Sequence, residues 1–188
     1  MGITNPVKKT WDMQYTRGLW EYLRDDLEKE RFMAVLQSVK LFSVNGKVLE
    51  IGCGEGILQS RMQAGSYVKY VGIDISEVAI KKTAHLCNSN TKYICADMEN
   101  YNSDETYDLI IFNESLYYSN NPLQLLERYV RFLQSCGHFI ISVFKSERNM
   151  LLLNSIESHC KNTAELISTN ERGSWYCRVY SRKNILVG

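Results

Sequence analysis

The sequence predicts an α/β fold with a doubly wound, mostly parallel seven-stranded sheet that ends in an antiparallel C-terminal hairpin. Five strand-like segments alternate with helix-like segments, a pattern that requires right-handed crossovers between parallel strands. Two further strand-like segments, residues 164–169 and 175–180, are joined only by a tight connection at residues 170–173, which indicates a hairpin. The five parallel strands are predicted at residues 47–51, 67–74, 92–97, 107–113 and 138–144.

The predicted helices lie before the first strand and between the later ones. Residues 21–42 carry Leu and Val at helical spacing with charges between them, which predicts one or two helices. Asn45-Gly46 ends this segment as a turn. Four further helices are predicted at residues 57–64, 77–87, 122–135 and 146–160.

Local signals support these assignments. Ser76 is suited to cap one helix, and Asn121 followed by Pro122 is suited to begin the next. The helix that Pro122 begins is expected to stop near Gly137. Residues 107–113 are almost wholly apolar, as expected for a strand that is buried on both faces of a parallel sheet.

The composition predicts a single globular domain. The 188 residues are 45% hydrophobic and 23% charged, and the net charge of +1 provides no long-range attraction for nucleic acid or an acidic membrane. The sequence contains no apolar run of about 20 residues, no signal-peptide core, and no Cys-x-x-Cys pair among its six cysteines. We therefore expect a cytoplasmic protein with reduced cysteines, no bound metal, and neither a nucleic-acid nor a membrane partner.

A glycine-rich turn follows the first predicted strand. The strand carries Glu50, glycines follow at positions 52, 54 and 56, and a helix-like segment starts at Ile57. Glycine is needed where the backbone adopts positive φ or lies against a ligand, so this arrangement indicates a nucleotide-type binding site. In the dinucleotide-binding fingerprint the third glycine stands one residue further along. The pattern Glu-x-Gly-x-Gly-x-Gly instead resembles motif I of the class I S-adenosylmethionine-dependent methyltransferases.

This resemblance covers about residues 45–180, because the closing hairpin is also typical of that family. It implies the Rossmann-like methyltransferase fold. It further implies S-adenosylmethionine as the cofactor and S-adenosylhomocysteine as the product.

Four predicted strand ends deliver polar side chains to one edge of the sheet, the edge where open parallel sheets bind ligands. They are Glu50, Asp74, Asp97 and Asn113. The Asp74 carboxylate is suited to accept hydrogen bonds from two ribose hydroxyls, a role that an acidic residue also has in NAD-binding folds. The resemblance implies that Asp97 pairs with the adenine amino group and that Met98 packs on the ring. The alternatives are a capping or solvated role for Asp74 and a capping role for Asp97.

Glu50 interrupts an otherwise apolar strand, and a buried carboxylate is costly without a partner. The sulfonium and ammonium groups of the cofactor are suitable partners, and so are backbone amides of the glycine turn. The sequence leaves both interpretations open. The complete predicted cofactor site is Tyr15, Trp20, Glu50, Gly52, Cys53, Gly54, Asp74, Ile75, Asp97, Met98 and Asn113.

The segment after the fourth strand, Asn113-Glu114-Ser115-Leu116-Tyr117-Tyr118, follows the position where this family brings methyl donor and acceptor together. It lacks the Asn/Asp-Pro-Pro-Tyr/Phe pattern of methyltransferases that act on adenine or glutamine amides. It is similar to a segment in a group of small bacterial methyltransferases that includes nodulation-factor N-methyltransferases. An alcohol acceptor needs a general base, and we predict Glu114 or Tyr118 as this catalytic residue. Packing roles for Leu116 and Tyr117 are the alternative.

Two other stretches resemble the same group, Trp11-x-x-x-Tyr15-x-x-Gly18-x-Trp20 and Ser174-Trp175-x-x-Arg178. The resemblance implies that the first of them becomes ordered when cofactor binds, with Tyr15 and Trp20 forming an aromatic lid. A hydrophobic staple on the first helix is the alternative. We divide the chain into an N-terminal helical lid segment, residues 1–44, and an S-adenosylmethionine-binding methyltransferase domain, residues 45–188.

These residues predict an S-adenosylmethionine-dependent methyltransferase that acts on a small polar acceptor, a sugar or glycan hydroxyl or amine. An NAD-dependent oxidoreductase and a non-catalytic cofactor-binding partner subunit remain as alternatives. His138, near the start of the fifth strand, is interpreted as a structural turn residue and not as the base. The receiving atom and the oligomeric state are left open.

Overall fold

The described part of the chain, residues 6–43 and 45–183 of a computed structural model, is organised around one sheet of seven strands. The strands are β1 (Gly46–Ile51), β2 (Tyr67–Asp74), β3 (Thr91–Cys95), β4 (Tyr107–Asn113), β5 (Leu133–Phe144), β6 (Cys160–Asn170) and β7 (Gly173–Arg182). Their order is β3-β2-β1-β4-β5-β7-β6. The first five strands are parallel, and β7 pairs antiparallel with both β5 and β6. The predicted fold class, with its closing hairpin, is confirmed.

Helices pack on both faces of this sheet, and helices also form part of the N-terminal segment. They are α1 (Pro6–Thr16), α2 (Lys29–Phe42), α3 (Ile57–Ser60), α4 (Glu77–Lys82), α5 (Pro122–Val130) and α6 (Glu147–Ile156). Short 3₁₀ turns lie at Glu21–Arg24, Asp26–Glu28, Ala84–Leu86 and Leu116–Tyr118. The predicted caps are present, since Ser76 accepts from the Ala79 amide and Asn121 accepts from the Gln124 amide.

The end of α5 and the beginning of β5 differ from the prediction. The helix ends at Val130, and the strand begins at Leu133, which is buried in the core. The Phe132 carbonyl accepts a hydrogen bond from the Tyr107 amide at 2.8 Å, which brings this stretch to the sheet early. Gly137 therefore does not stop a helix. It lies inside β5, where a Cβ atom would come within 3.0 Å of the Asp108 carbonyl oxygen.

Two hydrophobic clusters hold the helices against the sheet, one on each face. On β4 alternate residues belong to opposite clusters: Ile110 and Phe112 to the cluster that α5 and α6 cover, and Leu109 and Ile111 to the cluster that α2 covers. All four side chains are fully buried, as expected for a strand that is covered on both faces. The helices therefore cover the two faces of the sheet and leave the carboxyl ends of the strands free to line a site.

Helix α1, which the sequence pattern did not predict, docks on the beginning of α4. The Asp12 carboxylate accepts hydrogen bonds from the Ser76 hydroxyl at 2.7 Å and the Val78 amide at 3.2 Å. Lys8 bridges Asp12 and Glu77, at 3.2 Å each. The polar surface of α1 is satisfied by these tertiary contacts, which explains why apolar periodicity did not reveal the helix.

Some predicted boundaries fall on residues outside the described part. Residues 1–5 and 44 of the proposed N-terminal segment, and residues 184–188 of the proposed binding domain, lie there. Among residues 6–43 and 45–183, no helix is long and apolar enough to span a membrane. The same residues contain no group of three or more His, Cys, Asp or Glu side chains placed to hold a metal ion.

Candidate active site

A cavity of about 630 Å³ lies at the carboxyl edge of the sheet, between the strand ends, the N-terminal segment and the tip of the β6–β7 hairpin. All the residues that the sequence assigned to cofactor or catalysis line it. They are Tyr15, Trp20, Glu50, Gly52, Cys53, Gly54, Asp74, Ile75, Asp97, Met98, Asn113, Glu114 and Tyr118.

The glycine turn forms the floor of one half of this cavity. Gly52 and Gly54 adopt φ of 74° and 53°, a region that side-chain-bearing residues rarely occupy. The Gly52 amide donates to the Ile73 carbonyl at 2.8 Å, which ties the turn to the end of β2. A Cβ atom on Gly54 would lie 2.7 Å from the Tyr15 hydroxyl oxygen. The turn therefore needs glycine both for its backbone conformation and for the close approach of the N-terminal segment.

Asp74 closes β2 and holds the glycine turn in place. Its Oδ2 accepts from the Gly54 amide at 2.9 Å, and its Oδ1 accepts from the Ser76 amide at 2.8 Å. Burial raises the pKa of this carboxyl to about 6, while the two backbone hydrogen bonds oppose that shift. The helix cap is Ser76, so Asp74 neither caps α4 with its own side chain nor faces open solvent.

Glu50 is fully buried beneath the same turn. The Tyr70 hydroxyl donates to it, and the glycine-turn amides bond instead to Ile73 and Asp74. Burial raises the pKa of Glu50 to about 8, the Tyr70 hydrogen bond opposes this shift, and the charge of Asp74 adds to it. Of the two interpretations left open by the sequence, the bond to glycine-turn amides is therefore absent among the described residues.

Two buried polar atoms on residues that line the cavity have no protein partner among the described residues. Within residues 6–43 and 45–183, Trp20 Nε1 and Asn113 Oδ1 are buried and form no hydrogen bond. One is a donor and the other an acceptor, so together they suit a ligand that carries both a carboxylate and an ammonium group. The amino-acid end of S-adenosylmethionine has both groups, and these residues therefore fit the expected cofactor.

The third strand end contributes Asp97 and Met98. Asp97 Oδ1 accepts from the Glu99 amide at 3.0 Å, which fixes the turn after β3. The Met98 carbonyl accepts from the Tyr129 hydroxyl at 3.0 Å, and the Met98 side chain packs against the core from the cavity side. The carboxylate and the thioether are thus held next to each other on the cavity wall.

Aromatic side chains of the N-terminal segment cover the cavity. Trp11 stacks on Trp20 with ring centroids 5.6 Å apart, and Tyr15 lies 6.2 Å from Trp20. Trp11 also contacts Tyr118 edge-on at 4.9 Å, which joins this segment to the loop after β4. These contacts agree with a lid arrangement, in which apolar rings exclude water from the space below.

Glu55, which the sequence analysis did not single out, connects the lid to the glycine turn. Its carboxylate pairs with Arg24 at 2.7 Å and with Lys82 at 2.6 Å. Burial would raise the pKa of Glu55, but hydrogen bonds from Lys82 and Arg24 lower it overall. Lys82 also donates to the Tyr15 carbonyl at 3.4 Å. Only the folded structure reveals this junction, because its members come from three separate elements.

Glu114 lies at the start of the other half of the cavity. It is a non-glycine residue with φ of 57°, a conformation that costs energy and persists only where the surroundings enforce it. Its carboxylate accepts from the Tyr117 hydroxyl and the Phe144 amide at 3.0 Å each, and from the Ser142 hydroxyl at 3.2 Å. Burial raises the pKa of Glu114, and the charge of Arg31 opposes that shift.

Tyr118, the second predicted catalytic residue, lies at the mouth of the cavity with 48% of its surface exposed. Burial of the hydroxyl nevertheless raises its pKa, so the ionised form that could act as a base is less populated than in a free tyrosine. Tyr117 stands between the two candidates, bonded to Glu114 and in ring contact with Tyr118 at 4.6 Å. Tyr117 therefore does more than pack, because its hydroxyl also donates a hydrogen bond to the Glu114 carboxylate.

The family comparison covers most of the chain. Residues 42–184 match a family model described as a methyltransferase domain. The chain belongs to this family. The prediction of a class I S-adenosylmethionine-dependent methyltransferase is confirmed, and the NAD-dependent oxidoreductase alternative finds no support.

Two relatives illustrate the range of proteins to which this methyltransferase is similar. Nodulation protein S of Azorhizobium caulinodans is 30% identical over 151 residues, which cover 79% of this chain and 70% of that protein. A malonyl-[acyl-carrier protein] O-methyltransferase of Bacillus cereus is 31% identical over 104 residues, which cover 54% of this chain and 38% of that protein. The chain thus spans less than two thirds of the length of the second relative.

Two solved structures share the fold. The N-methyltransferase NodS from Bradyrhizobium japonicum WM9, in complex with S-adenosyl-l-homocysteine, has a TM-score of 0.78 at 17% identity and covers 92% of this chain and 98% of its own. The 1,6-didemethyltoxoflavin-N1-methyltransferase from Burkholderia thailandensis has a TM-score of 0.77 at 13% identity, covering 97% and 92%. At such identities the structures establish the fold alone.

Part of the wall of the methyltransferase's second half-cavity comes from residues that the sequence analysis did not assign to the site. They are Tyr22, Glu28, Arg31, Phe144, Arg172 and Trp175. The sequence analysis named Trp175 only as part of the motif Ser174-Trp175-x-x-Arg178. Trp175 lines the cavity, whereas Arg178 of the same motif pairs with Glu157 and Glu165. His138 was predicted to lie in a turn, but it lies inside β5, because the strand already begins at Leu133, and it packs against Phe42 at 4.8 Å. No spacing signal connects these positions, so sequence alone offered no way to group them.

Proposed function

We propose that this methyltransferase transfers a methyl group to a hydroxyl or amine of a sugar or glycan, with Glu114 as the general base. The observation that carries the proposal is the conformation of Glu114. It is a buried carboxylate held by three donors, in a backbone region of positive φ, directly after the cofactor-side Asn113. Strained, over-determined residues of this kind cluster at active sites.

The cofactor is proposed to lie along the strand ends. Asp74 would accept from the ribose hydroxyls, Asp97 would bind the adenine amino group, and Met98 would pack on the ring. Trp20 Nε1 would donate to the cofactor carboxylate, and Asn113 Oδ1 would accept from its ammonium group. S-adenosylmethionine, when bound, supplies an electrophilic methyl group on a sulfonium.

The glycine turn and its neighbours would contact the amino-acid end of the cofactor, since Gly52, Cys53 and Gly54 form the floor there. The Glu50 carboxylate beneath them would offset the positive charge of the sulfonium and ammonium groups. The N-terminal segment is proposed to act as a lid, with Tyr15 and Trp20 excluding water and Ile75 completing the wall.

The protein's own groups would then manage the acceptor and its proton. The acceptor's hydroxyl or amine would lie in line with the methyl group that the cofactor supplies, and the departing thioether sulfur would keep the electron pair of the broken carbon–sulfur bond. Glu114 takes the acceptor's proton, because its pKa is raised by burial towards the range where a base is effective. Tyr118 is the second candidate, but its raised pKa leaves it protonated, so we assign it to acceptor positioning.

The nature of the half-cavity walls supports a sugar acceptor. Tyr22, Tyr118, Phe144 and Trp175 present aromatic surfaces that suit the carbon–hydrogen faces of a pyranose, while Glu114 provides a polar contact. The malonyl-[acyl-carrier protein] relatives and the toxoflavin-precursor enzyme show that related folds accept other molecules, so the acceptor requires a direct test.

The first experiment is a calorimetric titration with S-adenosylhomocysteine, in parallel with a fluorescence titration with NADH. We expect binding of the first ligand only, and absence of binding at millimolar concentrations would end the proposal. The second experiment is a methyl-transfer assay against neutral, amino and acidic sugars and short chitosan oligomers. Cofactor binding without product from any of these acceptors would favour the non-catalytic partner subunit.

A further inference from the structure

Arg31 in α2 is a buried cation on the wall of the second half-cavity. Its side chain is 5% exposed, and its Nε donates to Glu28 at 2.5 Å. The guanidinium lies over the Phe32 ring at 4.7 Å and near the Trp175 ring at 5.7 Å. The aromatic surfaces and one carboxylate thus fix the plane of the guanidinium.

The outer edge of this guanidinium has no protein partner. Within the described residues, neither terminal amino group of Arg31 donates a hydrogen bond, although the residue lines the cavity. Nearby Arg172 differs, because its terminal nitrogens pair with Glu28 at 2.7 Å and Asp25 at 2.8 Å. A buried charged group with unused donors is costly, and such groups in a cavity are typical of ligand-binding residues.

We infer that Arg31 binds a carboxylate of the acceptor, so that the acceptor is a sugar acid and not a neutral or amino sugar. This inference rests on the proposed function and narrows it. The two free terminal amino groups form one edge of a planar fork, the geometry that a carboxylate occupies with two parallel hydrogen bonds.

The surrounding charges favour a carboxylate over other charged groups. Glu28 and Glu114 balance the charges of Arg31 and Arg172 around the half-cavity, so a dianionic phosphate would leave more uncompensated negative charge there than a carboxylate. Arg31 and Arg172 line the same space, and the free guanidinium edge repels an amine that approaches it. A monoanion with a neutral hydroxyl elsewhere on the ring satisfies both Arg31 and Glu114.

The test uses the full chain saturated with S-adenosylhomocysteine and measures binding of glucuronate, galacturonate, glucose, glucosamine and glucose 6-phosphate by calorimetry. At least one of the sugar acids should bind about tenfold or more tightly than glucose, because hydrogen bonds between charged groups are stronger than those between neutral groups. Arg31→Gln should abolish this preference, and Arg31→Lys should retain part of it, since it keeps the charge but loses the fork.

Arg61→Gln is the matched control, because Arg61 also lies over the Phe32 ring at 4.7 Å but is not among the cavity-lining residues described. It should leave the preference for the acid unchanged. If Arg31→Gln destabilises the protein by leaving Glu28 less well paired, Arg31→Lys keeps a cation beside Glu28 and leaves the Glu28–Arg172 pair intact. That variant should bind S-adenosylhomocysteine normally and show a weaker preference for the acid, and a preference as large as that of the wild type would refute the role of the Arg31 fork.

The outcomes separate the two proposals. Failure of the wild-type chain to bind S-adenosylhomocysteine would refute the proposed function and, with it, this inference. Cofactor binding with no preference for either acid over glucose, or a preference that survives in Arg31→Gln, would refute the role of Arg31 alone. Tighter binding of glucosamine or of glucose 6-phosphate than of either acid would also overturn the carboxylate assignment.

Discussion

The two halves of the cavity are built in different ways. In the cofactor half, the side chain of Asp74 is held by backbone amides of the glycine turn and of α4. In the acceptor half, Arg31 and Arg172 are held by another side chain, Glu28, which is 144 residues from Arg172 in the sequence. Backbone contacts tie the first half to the fold itself. Contacts between side chains allow the second half to change without altering the sheet, which suits a family whose acceptors differ.

The largest predicted effect is a loss of turnover that comes from a change in the acceptor half alone. Glu114→Gln preserves the size of the side chain but removes the base. We expect turnover to fall by about 10²–10⁴-fold, the usual contribution of general acid–base catalysis. Affinity for S-adenosylhomocysteine, measured by calorimetry, should stay at the wild-type value.

Tyr118→Phe is the companion variant for that prediction. It should reduce turnover much less than Glu114→Gln, because the tyrosine is assigned to positioning. A reversed order of the two effects would transfer the role of base to Tyr118.

The second prediction affects the cofactor half. Asp74→Ala removes two expected hydrogen bonds from ribose hydroxyls to a charged group, so the dissociation constant for S-adenosylhomocysteine should rise by about a hundredfold or more. The variant should also unfold more easily, because the Gly54 and Ser76 amides lose their acceptor.

Asp97→Ala provides the graded comparison, since only one cofactor hydrogen bond is expected there. Its affinity loss should be about tenfold. Equal losses in the two variants would argue against the separate ribose and adenine roles.

The third prediction concerns the buried carboxylate beneath the cofactor half. The pKa of Glu50 is about 8 in the folded protein and 4.5 in the unfolded reference, so the folded state retains a proton that the unfolded chain releases between those values. Stability from this group is present below pH 4.5 and is lost as the pH rises to about 8. Urea unfolding should therefore show a loss of a few kcal/mol across this range.

Glu50→Gln removes the titrating group and should flatten that decline. The comparison is made without cofactor, because a bound cation would itself favour the carboxylate. An identical pH profile for the variant and the wild type would show that Glu50 titrates normally.

The smallest predicted effect is a loss of cofactor affinity when the ion pair between the N-terminal segment and the glycine turn is broken. Arg24→Gln breaks the 2.7 Å pair with Glu55, but half of the Arg24 side chain is exposed, and exposed ion pairs contribute about 0.2–1 kcal/mol. We expect the dissociation constant for S-adenosylhomocysteine to rise roughly two- to threefold in this variant. The difference between variant and wild type should become smaller at high salt, because salt screens exposed charges.

Lys81→Gln is the control for Arg24→Gln. It removes the same charge from an exposed pair with Glu77, and neither Lys81 nor Glu77 is among the residues that line the cavity. It should leave cofactor affinity unchanged. An effect as large as that of Arg24→Gln would indicate a general charge effect and not a lid contact.

The sequence predicted the sheet well where local signals coincide. The apolar run of β4 and the capping residues Ser76 and Asn121 each specified their element, because neighbouring residues alone set these preferences. The predictions failed where tertiary contacts override such preferences. Gly137 was predicted to stop a helix, but the hydrogen bond from the Tyr107 amide to the Phe132 carbonyl brings the chain to the sheet earlier, so Gly137 lies inside β5. Helix α1 was missed because its partner, α4, is distant in the sequence.

The sequence by itself determined which strand ends meet in the half of the cavity that we propose for the cofactor. Strand tips of a parallel sheet must meet at one edge, so the order of strands and glycines already brings Glu50, Asp74, Asp97 and Asn113 together. Only the tertiary structure decided the acceptor half, where α2, the loop after β4 and the hairpin tip meet. The physical reason is that contacts such as Glu28 with Arg172 depend on long-range packing, which no local spacing encodes.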